Sequence, residues 1–186
     1  MALRRVQGYA AALVLAAALS AGTGHTAEAA VKVTKNKADW VQAQEEAKSQ
    51  EEAAVEEAAA AEAEEATNRR QAVVDYALSF VGGAYVYGGN DPHSGVDCSG
   101  FTRYVLSHAA GIYLERTSRG QATQGTSVSV EQMQPGDLLF YARGSRVNHV
   151  AMYIGNGKVV HASTERSGIK VSDWNYRTPV RIASVL

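Results

Sequence analysis

With one cysteine, Cys98, among its 186 residues, the chain cannot form an internal disulfide. It also lacks any apolar run near the ~20 residues that a membrane-spanning helix needs; Tyr9 to Leu19, its first apolar stretch, is far shorter. There is no internal repeat. No basic helix and no basic stripe interleaved with aromatics is present, which leaves little case for nucleic-acid binding. Between positions 40 and 67 there is neither glycine nor proline, so nothing in that segment breaks a helix.

Arg4 and Arg5 give the chain a short positive start, the apolar run follows, and Ala27-Glu28-Ala29 reads as a small-x-small cleavage site. This order predicts a signal peptide over residues 1–29 and an extracytoplasmic product, secreted or held in the cell envelope. An uncleaved anchor is the alternative, and the shortness of the run counts against it. Export sharpens the question of Cys98, because exported domains use cysteines in pairs. A lone one is a buried apolar side chain, an intermolecular link or a working thiol.

The net charge of −1 hides an asymmetry. Residues 28–67 hold eleven acidic side chains against four lysines, whereas 68–186 hold twelve Lys/Arg against eight Asp/Glu. The acidic segment, 30–67, is rich in Ala and Glu and is expected to be a helical or flexible arm. Val41 and Val55 lie two heptads apart but Lys48 falls between them, so a solvated spacer is favoured over a zipper and a monomer over a dimer. The mildly basic remainder, 68–186, is expected to be one domain and suits an acidic polymer.

Within 68–186, Ala72, Val73, Tyr76, Ala77, Phe80 and Val81 follow helical spacing up to Gly82-Gly83. Cys98, Phe101, Thr102, Val105, Leu106 and Ala109 mark a second helix, with Asp97 at its N-cap and Gly111 past its end. A loop runs from Arg116 to Gly125. Then 137–142, 147–154, 158–163, 168–172 and 180–185 read as short strands bounded by Gly, Pro or Asn. Helices first and antiparallel strands afterwards define an α+β fold, its helices packed on a sheet of about five strands.

Cys98 is the residue with chemistry to explain. At the first turn of a helix, unpaired N–H groups and partial positive charge favour a thiolate, so a lowered pKa is expected. The nearby Asp97 works against ionisation and calls for an imidazolium partner. Strand alternation places His149 on a face with Val147, Ala151 and Tyr153. A three-residue hairpin loop, Gly155 to Gly157, sets Ile154 opposite Lys158 and brings His161 to the face of His149; a two-residue loop would part the two rings. Cys98, His149 and His161 thereby form a nucleophile, a base and an orienting group. Two other readings stay open: separate packing roles for each residue, or a zinc site, which lacks an evident fourth ligand. His25 leaves with the leader, His93 lies in a loop, and His108 points off its helix's apolar stripe.

Five segments occur in an order seen elsewhere: Tyr85-Val86-Tyr87-Gly88-Gly89, Asp97-Cys98-Ser99-Gly100-Phe101, Gln134 to Phe140, Asn148 to Gly155, and Val160-His161-Ala162. Together they resemble the NlpC-type bacterial cell-wall cysteine peptidases over roughly 69–186. The resemblance implies a papain-like fold, Cys98, His149 and His161 as the catalytic set, no metal or organic cofactor, and peptidoglycan peptides as substrate. The bond implied is that from D-glutamate to the diamino acid. Tyr85 would stand near the thiol and help hold the oxyanion. Asp97 and Ser99 correspond to positions that contact the substrate's amine in some relatives, with Asp97 first of all a cap. Arg116 and Gln121 fall in the loop bordering the groove, as substrate contacts or as loop stabilisers. The loop from Tyr87 to Asp97 is about one residue longer than the family's pattern. A non-catalytic wall-binding module and an acyl transferase are the rival functions.

Overall fold

The computed structural model describes residues 26–186. The leader expected over 1–29 lies almost wholly outside them. Among the described residues, no helix is long and apolar enough to cross a membrane.

Two compact units divide the chain between Val55 and Glu56. The first ends within α1 (Thr26–Leu78). Every described side chain of that helix from position 37 to 69 is exposed, including Trp40, Val41 and Val55. Helical periodicity carries no apolar stripe there, and Ala and Glu sustain the helix by propensity.

In the second unit α1 continues without a break through position 68 and stops at Leu78, not at Gly82-Gly83 as its periodicity implies. The reason is tertiary. Phe80 and Val81 close i→i−3 turns, and the Gly82 N–H then donates to the Ile169 carbonyl at 2.8 Å. The Ile169 N–H returns a bond to the Gly83 carbonyl at 2.8 Å. The expected stripe shifts accordingly: Val73, Val74 and Ala77 are buried, whereas Ala72 and Val81 are exposed.

A two-stranded ribbon, β1 (Asn90–Asp91) with β2 (Gly95–Val96), leads into α2 (Cys98–Ala110). α2 is capped at both ends. Asp97 accepts from the Gly100 N–H, and Gly111, at φ 69°, takes the left-handed conformation that terminates helices. After the short α3 (Ser118–Gln121), capped by Thr117 within the expected loop, the chain enters one antiparallel sheet. Its strands are β3 (Thr126–Ser127), β4 (Leu138–Arg143), β5 (Arg146–Gly155), β6 (Lys158–Thr164), β7 (Gly168–Asp173) and β8 (Arg181–Ser184), in the order β3-β8-β4-β5-β6-β7. The five expected strands are all present, and β3 adds a sixth at the edge.

Alternation gives the sheet two faces. Phe101, Val105 and Leu106 of α2 pack with Leu138, Phe140, Val150, Met152, Val160 and Ala162. Burial of each such side chain contributes ~1.5–3 kcal/mol. Leu139, Tyr141, Ala151, Val159 and Ile182 form a second cluster with Tyr153 and Trp174.

Candidate active site

Two β-bulges set the geometry of the histidines. In the β5–β6 hairpin, Gly155 pairs with Lys158, so the turn is the two residues Asn156-Gly157 and not the expected three. Both have positive φ, 52° and 71°, as a type I′ turn requires. Ile154 is then the extra residue, because Tyr153 pairs with Val159 and Met152 with Val160. The bulge restores the register that the shorter turn would have lost. His149 and His161 consequently share a face, with His149 Nε2 2.7 Å from His161 Nδ1.

The second bulge lies between β4 and β5, where Tyr141 pairs with His149 but Ala142 pairs with Val147, leaving Asn148 unmatched. Val147 therefore leaves the face of His149, where alternation placed it, and packs against the cluster that contains Cys98. Arg177 pins this bulge, donating to the Ala142 carbonyl at 2.6 Å and to Asn148 Oδ1 at 3.0 Å.

His161 is buried, and its remaining ring nitrogen, Nε2, lies 3.0 Å from Ser172 Oγ. Tyr176 lies tilted beside His161 at 5.2 Å between centroids, and Tyr141 lies 6.0 Å from His149. The Tyr141 hydroxyl donates to the Trp174 carbonyl at 2.7 Å, tying the β7–β8 connection over the pair. Ser172, Tyr141, Tyr176 and Arg177 are site residues that the sequence reading missed. Their one sequence signal is the alternation of β7, which puts Ser172 opposite Val159 across the ladder to β6.

Two arrangements of ring protons fit these contacts, and one of them leaves a base free. With His161 Nε2–H donating to Ser172, Nδ1 of His161 accepts from His149 Nε2–H. Nδ1 of His149 is then the nitrogen left to take a proton.

Cys98 is mostly buried but lines an open groove of about 790 Å³ together with Tyr85, Tyr87, Asp97, Ser99 and Arg116. The amide of Val150, the residue after His149, points at its sulfur. No hydrogen bond links the thiol to His149 itself among the described residues, and such contacts in unliganded sites are commonly loose.

The electrostatics reverse one expectation. Burial raises the Cys98 pKa, Asp97 adds to the rise, and the amides of Val150, Ser99 and Cys98 only partly counter it. Desolvation outweighs the helix terminus. Burial likewise lowers His149 to about 3, helped by His161 and Arg177, and lowers His161 to about 4, helped by Lys170. At neutral pH the thiol and both rings are uncharged.

Asp97, Ser99 and Arg116 form one hydrogen-bonded unit. Arg116 donates to Asp97 Oδ1 at 2.9 Å and Oδ2 at 2.8 Å, to Ser99 Oγ at 3.1 Å and to the Gly89 carbonyl at 3.0 Å. Asp97 also accepts from the amides of Gly100 and Gly88, at 2.8 and 3.0 Å. Burial opposes its charge, but Arg116 and these amides prevail and hold its pKa below the ordinary value. Of the two roles expected of Gln121, substrate contact and loop stabiliser, its contacts favour the second. It has no exposed surface, and its amide is spent on Thr102, the Ser99 carbonyl and the Glu115 carbonyl. It is a strut beneath the groove and cannot border it. Tyr85 is half-buried at the groove, where burial and then the proximity of Cys98 raise its pKa. His93 and His108 belong to a separate aromatic cluster, with His108 stacked on Tyr104 at 4.0 Å. Among the described residues, no three His, Cys, Asp or Glu side chains are grouped to hold a metal ion.

An α+β fold with a helix-start thiol on a groove and a hydrogen-bonded imidazole pair on the sheet belongs to the papain-like class. The chain is a member of the NlpC/P60 family, whose model matches residues 82–181. It is 38% identical to a gamma-DL-glutamyl hydrolase of Bacillus subtilis over 59% of this chain and 27% of that protein. It is 37% identical to the murein DD-endopeptidase MepS/murein LD-carboxypeptidase of Escherichia coli, over 57% of this chain and 55% of the other. The crystal structure of the NlpC/p60 domain of peptidoglycan hydrolase SagA superposes with a TM-score of 0.57 at 38% identity, covering 62% of this chain and 97% of that one. The chain spans between about a fifth and about half of the length of the curated relatives it matches.

Proposed function

We propose that the chain is an exported cysteine peptidase that hydrolyses amide bonds in peptidoglycan stem peptides, at the bond from the D-glutamyl residue to the diamino acid. The observation that carries the reading is the 2.7 Å His149–His161 contact on a strand whose next residue, Val150, points its amide at Cys98, a helix-start thiol that lines a groove large enough for a peptide. The names of the glutamyl hydrolase and murein endopeptidase relatives support the substrate class.

Because thiol and imidazole are both neutral at rest, Cys98 gives its proton to His149 as the sulfur attacks the scissile carbonyl, with no preformed ion pair. The His149 imidazolium that forms is oriented by His161, which Ser172 in turn holds. The Cys98 amide and Tyr85 face the developing oxyanion. His149 protonates the departing amine, the carbonyl remains on sulfur as a thioester, and water activated by His149 releases the acid and restores the thiol. The Asp97–Ser99–Arg116 unit shapes the groove beside the thiol. The proposed organisation along the chain is a leader over 1–29, an arm over 30–67 and the peptidase domain over 68–186.

The test is hydrolysis of purified peptidoglycan by the full chain and by Cys98→Ala, with products identified by mass. Expected is release of new amino and carboxyl termini by the wild type alone. Equal activity of the variant would eliminate the scheme.

A further inference from the structure

The groove at Cys98 is lined by four arginines, Arg116, Arg119, Arg143 and Arg146, and by a single carboxylate, Asp97. Asp97 is already matched by Arg116 in a two-pronged ion pair. Arg119, Arg143 and Arg146 make no ion pair and no side-chain hydrogen bond with any of the described residues, and all three are exposed. Arg119 comes from α3, whereas Arg143 and Arg146 pair with each other across the turn between β4 and β5. Three unmatched guanidiniums from two separate elements thus converge on the cavity that holds the thiol.

The surroundings do little to quench this charge. Repulsion among unpaired guanidiniums on a shared concave surface is unfavourable and is relieved by an anionic occupant. Each guanidinium offers a planar fork of donors that matches a carboxylate. On the far side of Tyr85 and Tyr87 the neighbouring depression has mixed charge, with Glu165 beside Arg166, so the excess is confined to the Cys98 side.

We infer that Arg119, Arg143 and Arg146 make this a groove for peptides whose carboxylates beside the scissile bond are free, and that they discriminate against peptides in which those groups are amides. The inference rests on the peptidase reading of the site and adds the substrate's charge state. It assigns specificity, not chemistry, to the three arginines: the charges they meet are present before the reaction as well as during it, so they act mainly on KM.

The probes are L-alanyl-γ-D-glutamyl-diaminopimelate and the same tripeptide with its glutamyl α-carboxyl and its diaminopimelyl carboxyls amidated. kcat and KM are measured for the full-length wild type, Arg119→Gln and the double variant R143Q/R146Q, in low and high salt. Expected is a preference of the wild type for the acid of at least about tenfold in kcat/KM, which salt weakens. In the double variant that preference should fall about tenfold through a raised KM for the acid, with a smaller change in KM for the amide. Binding of both tripeptides to Cys98→Ala, read by calorimetry, separates the two claims. Acid-selective binding that the R143Q/R146Q changes abolish, without turnover by the wild type, leaves this inference standing and removes the peptidase reading. Equal binding and equal cleavage of acid and amide, or a preference indifferent to all three arginines, would overturn the inference while the peptidase reading survives. Tight binding of the polyanion heparin in place of either peptide would also overturn it, because the arginines would then serve a glycan.

Discussion

Replacing Asp97 by asparagine and by alanine should separate the two jobs its carboxylate performs. Asparagine keeps an acceptor for the Gly100 N–H, so the start of α2 stays capped, but it loses the charge that meets Arg116 at 2.8 and 2.9 Å. A charge-assisted bond is worth ~1.5–3 kcal/mol against ~0.5–1.5 for a neutral one. The Arg116 side chain is 31% exposed, so water recovers part of the difference, and the expected loss is about 1–2 kcal/mol. Alanine also removes the cap, at ~1 kcal/mol, and strands the Gly88 and Gly100 amides, for a total of about 3–4 kcal/mol. Urea unfolding of the full chain followed by Trp174 emission reads both variants, since the only other tryptophan, Trp40, is exposed from the outset. The pH dependence gives an independent check. A carboxyl held below its ordinary pKa of 3.8 contributes stability that is present above that pH and lost as pH falls through the folded value. The gap between wild type and Asp97→Asn should therefore shrink on acidification. An alanine variant as stable as the asparagine variant, or a gap that widens in acid, would refute this account of the helix start.

Three further outcomes follow from the geometry. Alkylation of Cys98 by iodoacetamide should be slow at pH 7 and accelerate beyond pH 9, because burial and Asp97 raise the thiol pKa above its ordinary value of 9.0; a plateau at neutral pH would reveal a resting thiolate. Ser172→Ala should lower kcat about three- to tenfold with little change in KM and recover with Ser172→Thr, since the hydroxyl holds His161 Nε2 at 3.0 Å; a loss confined to thermal stability would make Ser172 merely structural. Gly100→Ala should cost more than about 2 kcal/mol in urea unfolding, because its new Cβ would overlap the backbone oxygen of Gly89; a neutral substitution would mean that the Gly89 loop yields freely.

The parts of this fold governed by local chemistry were legible in the sequence. Asp97 and Gly111 bracket α2 because capping depends on a few neighbouring atoms, and the five longer strands declare themselves by apolar runs between turn residues. Tertiary partners decide the rest. α1 stops at Leu78 because β7 claims Gly82 and Gly83. Thr126 and Ser127 are polar and exposed, and they form a strand only because β8 offers them an edge. The shared face of His149 and His161 was anticipated with the wrong turn: Asn156-Gly157 is the stronger two-residue signal, and the bulge at Ile154 that compensates for it has no marker beyond Gly155 at φ 87°. Ser172, Tyr176 and Arg177 reach the histidines from later in the chain, a proximity no local pattern encodes. The raised pKa of the thiol is not legible locally, because burial is a property of the assembled core.

The most direct measurement of the central claim is intact-mass analysis of the full chain, mixed with stem tripeptide and quenched in acid within the first turnover. The account expects an adduct of the acyl fragment, labile to hydroxylamine as a thioester is, mapping to Cys98 after digestion and accumulating less in His149→Ala. Turnover with no adduct on Cys98, or an adduct on another residue, would contradict it.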